Sequence, residues 1–362
     1  MIRKIYSILF VMLLLASCSA TAQVRTERYN AASMPDNSIV YMLPATKLYA
    51  VVTIVEEEEI PGEFALYAKR YLGVDEAILK PRHTYRIDQV TLGSYGVPDE
   101  RRRFSVRFRR NNSATYMTLT PEGLLASINK KVETVPALPT DQKGTPDKES
   151  GFLSLSSMPQ AFIQATSTAK KAEIAAQEIY RLRDSRTAII SGESDQPFPD
   201  GEAMKVAIGG LDRAEQSLLE RFLGKKIQTR HRYVVTDLDP AGEGEQVAFR
   251  FSERMGLLAQ DDLRGAPVCL RIKVTDAATP LTEQEQGKKE RALTKGVVYA
   301  VPGQVLAEVL YEHATLAKKA FPVAQLGTLE VLDPVLFATK GVLTAVTLDT
   351  TTGGLTNVEA IQ

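Results

Sequence analysis

Ala172-Glu173-Ile174-Ala175-Ala176-Gln177-Glu178-Ile179-Tyr180-Arg181-Leu182 is the stretch that organises this chain. Ala172, Ala175, Ala176, Ile179 and Leu182 recur at helical spacing and form one apolar stripe. The spacing predicts a helical segment from about Ala161 to Ile190. A second helix is expected from about Gly201 to Leu223, with Met204, Ala207, Ile208, Leu211, Leu218 and Phe222 inward, Asp200 as N-cap and Gly224 as stop. Ser191 to Asp200 is the loop between them, so the pair forms an antiparallel hairpin. Arg183 and Arg186 lie on or beside the first stripe, and Asp212 and Glu215 take comparable places on the second. A partly buried structural ion pair is therefore expected across the hairpin. Pairing about residues 195–196 sets Arg183 near Asp212 and Ile179 near Glu215, to within one turn.

Both flanks read as strands. Before the hairpin, Val40 to Pro44 reads as a strand stopped by proline, and Lys47 to Val55 as a second. Glu56 to Glu59 follows as a solvated gatekeeper run. Pro61 to Gly73 is helical by its first-turn proline and C-cap glycine. Tyr85 to Leu92 and Phe104 to Arg109 alternate as strands, the latter with Phe104, Val106 and Phe108 on one face. Ser105, Arg107 and Arg109 share the other face beside Arg101 to Arg103, a basic patch balanced by Glu56–Glu59. Thr115 to Leu119 and Leu124 to Ile128 flank a turn. Residues 129–158 read as a linker or long loop.

After the hairpin, strands are expected from Arg230 onward, through Gln246–Ser252, Val268–Val274, Val297–Val301, Gln304–Tyr311 and Ala320–Leu329. Asp237 to Glu245 reads as a hairpin loop, and Thr279 to Lys295 as a long polar loop. Thr344–Leu348 and Leu355–Val358 close the chain as a hairpin. Val40-Tyr41-Met42-Leu43-Pro44 followed by Leu48 is echoed by Val298-Tyr299-Ala300-Val301-Pro302 followed by Leu306, and Gly123-Leu124 by Gly354-Leu355. The echo implies two β modules of similar plan. The expected fold is α+β: two β-rich domains, 24–128 and 228–362, flanking a helical hairpin at 159–224 that packs on the sheets and joins the domains.

The N-terminus gives the address. Arg3 and Lys4 precede an apolar run from Ile5 to Leu15, then Leu15-Ala16-Ser17-Cys18. Residues 1–22 read as an export signal and not as a membrane span. Cleavage before Cys18 makes that cysteine the lipid-bearing first residue. Cleavage after Ala22, at Ala20-Thr21-Ala22, discards it. The expected location is the periplasm, with the membrane reached through lipid on Cys18.

Composition narrows the partners. The 44 basic and 44 acidic residues cancel, which argues against nucleic acid as a partner. With Cys18 lipidated or removed, Cys269 is the one remaining cysteine and no internal disulfide forms. Cys269 itself reads as a small apolar strand residue. The absence of tryptophan lowers the expectation of glycan binding, although 13 tyrosines are present.

No catalytic motif stands out. His83, His231 and His313 lack metal-ligand spacing and are expected to be structural or surface residues. Asp237 to Glu245 is acidic and glycine-rich but lacks the EF-hand order. No catalytic residue, cofactor or metal is expected.

Tyr41 to Thr46, Tyr67 to Gly73, Ala172 through Glu193, Asp200 to Ala203, Phe249 to Ser252 with Gly256, and Ala324 to Gly327 together resemble an uncharacterised family of exported Bacteroidetes proteins, a domain of unknown function. The resemblance covers nearly the whole mature chain. It implies export and one architecture, with no activity to carry over. The expected role is a non-enzymatic cell-envelope protein, an interaction or assembly module. A glycan-directed hydrolase with a cleft carboxylate pair, or a ligand-binding lipoprotein, are the alternatives.

Overall fold

A computed structural model describes residues 24–30, 38–108, 116–132, 138–146, 158–193, 201–333, 336 and 343–361. Cys18, Asp200 and Arg109 lie outside the described residues. Two long hairpins dominate the fold. The first pairs β2 (Ile39–Ile60) with β3 (Arg82–Phe108), and the second pairs β10 (Val297–Tyr311) with β11 (Ala314–Leu332). Each runs through a proline where the sequence reading placed a stop. Proline lacks the N–H that a ladder needs. Pairing therefore slips between Met42 and Pro44, and between Val301 and Gly303, and then resumes.

The slips have a packing role. Tyr41 and Leu43 lie in one hydrophobic core, while Leu48, Ala50, Val52 and Ile54 lie in another. Val297 and Val298 share the first of these cores, and Val305, Ala307 and Val309 the second. Each hairpin thus passes from one core to the other at its proline, where a bulge bends the strand. The echoed segments also share a contact. The Met42 amide donates to Gly123 O (3.0 Å), and the Ala300 amide to Gly353 O (2.9 Å).

Three antiparallel sheets result. One orders β1 (Val24–Arg28), β3, β2 and β6 (Lys225–Leu238). The next orders β11, β10, β9 (Ala266–Asp276), β7 (Gly244–Ser252) and β8 (Gly256–Leu258). The third orders β13 (Leu355–Ile361), β12 (Leu343–Leu348), β5 (Leu125–Ile128) and β4 (Met117–Leu119). The first sheet takes β6 from beyond the helices, and the third joins β5 to β12. Both large cores draw on both halves of the sequence. The flanking β regions are therefore not two separate domains. β6 and β7 lie in different sheets, so Asp237–Glu245 crosses between sheets and does not close a hairpin.

A four-point clasp locks the halves together. Thr46 is buried on β2. Its amide donates to Gln325 Oε1 (2.9 Å), and its carbonyl accepts from Gln325 Nε2 (2.8 Å). Its hydroxyl donates to Thr351 O (3.1 Å) and accepts from the Ala324 amide (3.0 Å). Gln325 thus supplies the donor and acceptor that a neighbouring strand would present.

The helices form a third core of their own. After a 3₁₀ turn at Ala65–Tyr67, α1 (Ala68–Leu72) ends at Gly73 in the left-handed conformation, φ 70°. α2 (Gln160–Gln164) precedes α3 (Thr168–Ser191), which Ser167 caps by accepting from the Lys170 amide at 3.2 Å. α4 (Gly201–Leu223) returns antiparallel to α3. Ala172, Ala175, Ala176, Ile179 and Leu182 are buried with Leu218, Phe222, Phe162, Met158, Phe64 and Ala68.

The hairpin therefore packs on the connection between β2 and β3. It is a satellite of the β body, and the two β halves meet without it. Gly62 permits the docking, because a Cβ there would sit 2.3 Å from Arg221 O. Met204, Ala207 and Ile208, expected inside, are only partly buried.

Two further expectations change. The polar stretch 279–295 contains α5 (Glu283–Leu293), which opens on a capping box of Thr282 and Glu285. Residues 138–146 are not free linker. Gln142 pairs with Arg232 at the edge of β6, with both backbone hydrogen bonds at 2.8 Å.

Candidate functional site

Glu56 is where the apolar face of β2 runs out. Leu48, Ala50, Val52 and Ile54 fill the core on that face, and Glu56 continues it. Register places Glu56 opposite Tyr85 on β3 and Thr229 on β6, with His83 and His231 two residues along their strands. Residues opposite or two apart on neighbouring strands share a face. His83, Tyr85 and His231 therefore converge on one carboxylate at the rim of the core.

The contacts are short. His83 Nε2 lies 2.6 Å from Glu56 Oε1, and His231 Nε2 lies 2.6 Å from Oε2. Tyr85 donates to Oε1 at 3.1 Å. The Gly144 amide donates to His231 Nδ1 at 3.3 Å, so the His231 proton sits on Nε2 and points at Glu56. Both ring nitrogens of His231 are engaged. Burial pushes the Glu56 carboxyl up, but hydrogen bonds from His231, His83 and Tyr85 outweigh it and hold it below its ordinary value. Burial, then the bond to Glu56, pushes the Tyr85 phenol up to about 12.

This cluster ties three strands together. The Glu56–Glu59 run is accordingly paired, with Glu57 bound by Gln228 (2.8 Å) and Glu59 by Lys226 (2.6 Å). It does not balance the patch at Arg101 to Arg103. Arg102 instead reaches the Ala324 carbonyl (2.9 Å), and Arg103 stacks on the Tyr29 ring at 3.9 Å.

Because Glu56 titrates below its unfolded value, its contribution to stability is present above that value. It is lost as pH falls through the depressed one. Glu56→Gln should melt below the parent at neutral pH, and the gap should close as pH falls below the ordinary 4.5. Melting curves of both proteins across pH check this. A gap that stays constant into acid would show that the carboxylate charge contributes nothing.

The four hairpin residues also meet. Arg183 Nε lies 2.6 Å from Glu215, and Arg186 Nη1 lies 2.7 Å from Asp212 and 2.8 Å from Glu215. The register is about one turn from that read in the sequence. The Arg186 guanidinium spans both carboxylates and ties α4 to α3.

A groove of about 780 Å³ runs between the middle of β3 and the β4–β5 turn, lined by Tyr95, Val97, Pro121, Leu138 and Thr351, with Glu122 as its charged lining. Hydrolysis of a glycosidic bond uses a pair of carboxylates, and this groove carries one. Among the described residues no group of three or more His, Cys, Asp or Glu is placed to hold a metal ion. No helix among them is long and apolar enough to cross a membrane.

Sequence reading missed the Glu56 cluster because 148 positions separate His83 from His231 (231 − 83). The usable signal was strand parity around Glu56, legible only once both pairings are known.

This architecture belongs to a family recognised by sequence but not by activity. Residues 37–356 match the domain of unknown function DUF4831, and the chain is a member of that family. No curated protein and no solved structure matches it.

Proposed function

We propose that this chain is a non-enzymatic cell-envelope protein of Bacteroidetes, held at the periplasmic membrane by lipid on Cys18 and acting as an interaction or assembly module. The observation that carries the reading is the outer half of the helical hairpin. Beyond the Arg183–Glu215 and Arg186–Asp212 pairs, none of residues 183–191 and 201–212 is buried. Ile190 is 62% exposed and Val206 is 70% exposed. Apolar side chains exposed on this pair of helices suit contact with another macromolecule. The basic start, apolar run and Leu15-Ala16-Ser17-Cys18 support the address.

Two measurements test this. Intact mass of the mature protein is expected to show a lipidated Cys18 as first residue. A chain beginning at Gln23 without lipid defeats the anchor. Photo-crosslinkers at Ile190 and Val206 in cells should give a discrete adduct with an envelope protein, while one at Leu263, 81% exposed on the turn between β8 and β9, should not. Equal labelling at all three positions defeats the module.

A further inference from the structure

Every sheet leaves edges, and an open edge offers unpaired N–H and C=O groups to another strand. Of the six strands that end the three sheets, five are short, charged, proline-bearing or partly bridged. β1 is five residues long and carries Arg25, Glu27 and Arg28. β4 and β8 have three residues each. The edge of β6 is bridged at Arg232 by Gln142. β11 is long but carries Lys318, Lys319 and Pro322.

β13 has none of these devices. It runs seven residues, Leu355-Thr356-Asn357-Val358-Glu359-Ala360-Ile361, and pairs only with β12 among the described residues. Its single charge, Glu359, is already engaged by Lys130 at 2.6 Å. Val358 stands opposite Val346, which belongs to the core, yet Val358 is 42% exposed. Among the described residues, the core face therefore reaches the edge and stops there uncovered.

The sequence of β13 is self-complementary about Val358. Antiparallel pairing of two copies sets Val358 against Val358, Asn357 against Glu359, Thr356 against Ala360, and Leu355 against Ile361. Apolar residues meet apolar ones at the centre and at both ends. An amide that can donate meets each carboxylate, and no like charges face each other. The pairing would also cover Leu355, which is 40% exposed.

We infer that β13 is a homodimer interface. Two copies of this chain join their β13 edges antiparallel across a two-fold axis at Val358, making one eight-stranded sheet from two four-stranded ones. This stands independently of the helical hairpin and of the envelope reading.

Sedimentation of the purified protein across the micromolar range tests it. The parent should run at twice the mass of one chain. Val358→Lys would place two ammonium groups against each other on the axis and should halve the apparent mass. Val358→Cys reports on register without requiring disruption. Mild oxidation should link Cys at 358 to its copy, whereas Thr356→Cys and the parent should stay unlinked, because residue 356 faces 360 of the second copy. A parent that sediments as one chain throughout the range overturns the inference. So does a Val358→Cys protein that sediments as two chains but does not link.

Discussion

Ile179→Asp is expected to melt far below the parent and to deplete the protein in cells. Ile179 is fully buried on α3, among the alanine stripe and the rings of Phe64, Phe162 and Phe222. Aspartate there removes apolar contact and buries a carboxylate. The bases that follow Ile179 on α3 are already committed, Arg181 to Glu178 and Arg183 and Arg186 to Glu215 and Asp212. An uncompensated buried charge costs about 3–5 kcal/mol, a large part of the stability of an ordinary domain. Arg107→Ala is the control. Arg107 is exposed on β3, and its loss should change stability by no more than about 0.5 kcal/mol. Thermal melts and steady-state abundance of both variants decide the matter. If Ile179→Asp melts like the parent, the third core does not exist as described.

Tyr41→Phe should be nearly as damaging for a change of one oxygen atom. β9 stops opposite Gln304, so the start of β10 has no strand on that side. The backbone of Val298 would be left unpaired there. Buried Tyr41 takes the missing strand's place. Its hydroxyl accepts from the Val298 amide at 2.9 Å and donates to the Val298 carbonyl at 3.1 Å. Burial pushes this phenol far above its ordinary range, so it stays protonated at any physiological pH. Phenylalanine fills the same volume, which leaves the polar loss unmasked. Two buried backbone groups without partners cost about 1–3 kcal/mol each. The expected loss is therefore about 2–6 kcal/mol, read as a lowered midpoint in denaturant with an unchanged slope. A variant within about 0.5 kcal/mol of the parent would mean that water reaches Val298 and that this junction is open.

Local features of the chain were legible in the sequence, and long-range ones were not. The alanine stripe of α3, Gly73 as a left-handed cap, the turn at 120–123 and the closing hairpin each rest on residues close together in sequence. β2 and β10 read as short pieces because a proline, at 44 and at 302, ordinarily ends a ladder. A bulge lets an antiparallel ladder pass such a residue, and only the partner strand reveals that. α5 was missed because its face is polar nearly all round, with Leu293 buried at its end. Its Thr282 and Glu285 spacing was nevertheless a usable sign. The Glu56 cluster and the Thr46–Gln325 clasp depend on registers that no spacing encodes. The division into two β domains failed for the same reason. It followed the order of elements along the chain, whereas β6 lies beside β2, and β12 beside β5.

That pairing of β2 with β6 also fixes the order in which the chain can be sealed. β1, β2 and β3 lie within residues 24–108 and can form a three-stranded sheet with the long edge of β2 open. The strand that closes it begins at Lys225, beyond the helical hairpin. Until β6 is in place, Val51, Val52, Ile54 and Val55 line an unsealed, strongly β-forming edge. An N-terminal fragment that ends before Lys225 should therefore aggregate where the full chain does not.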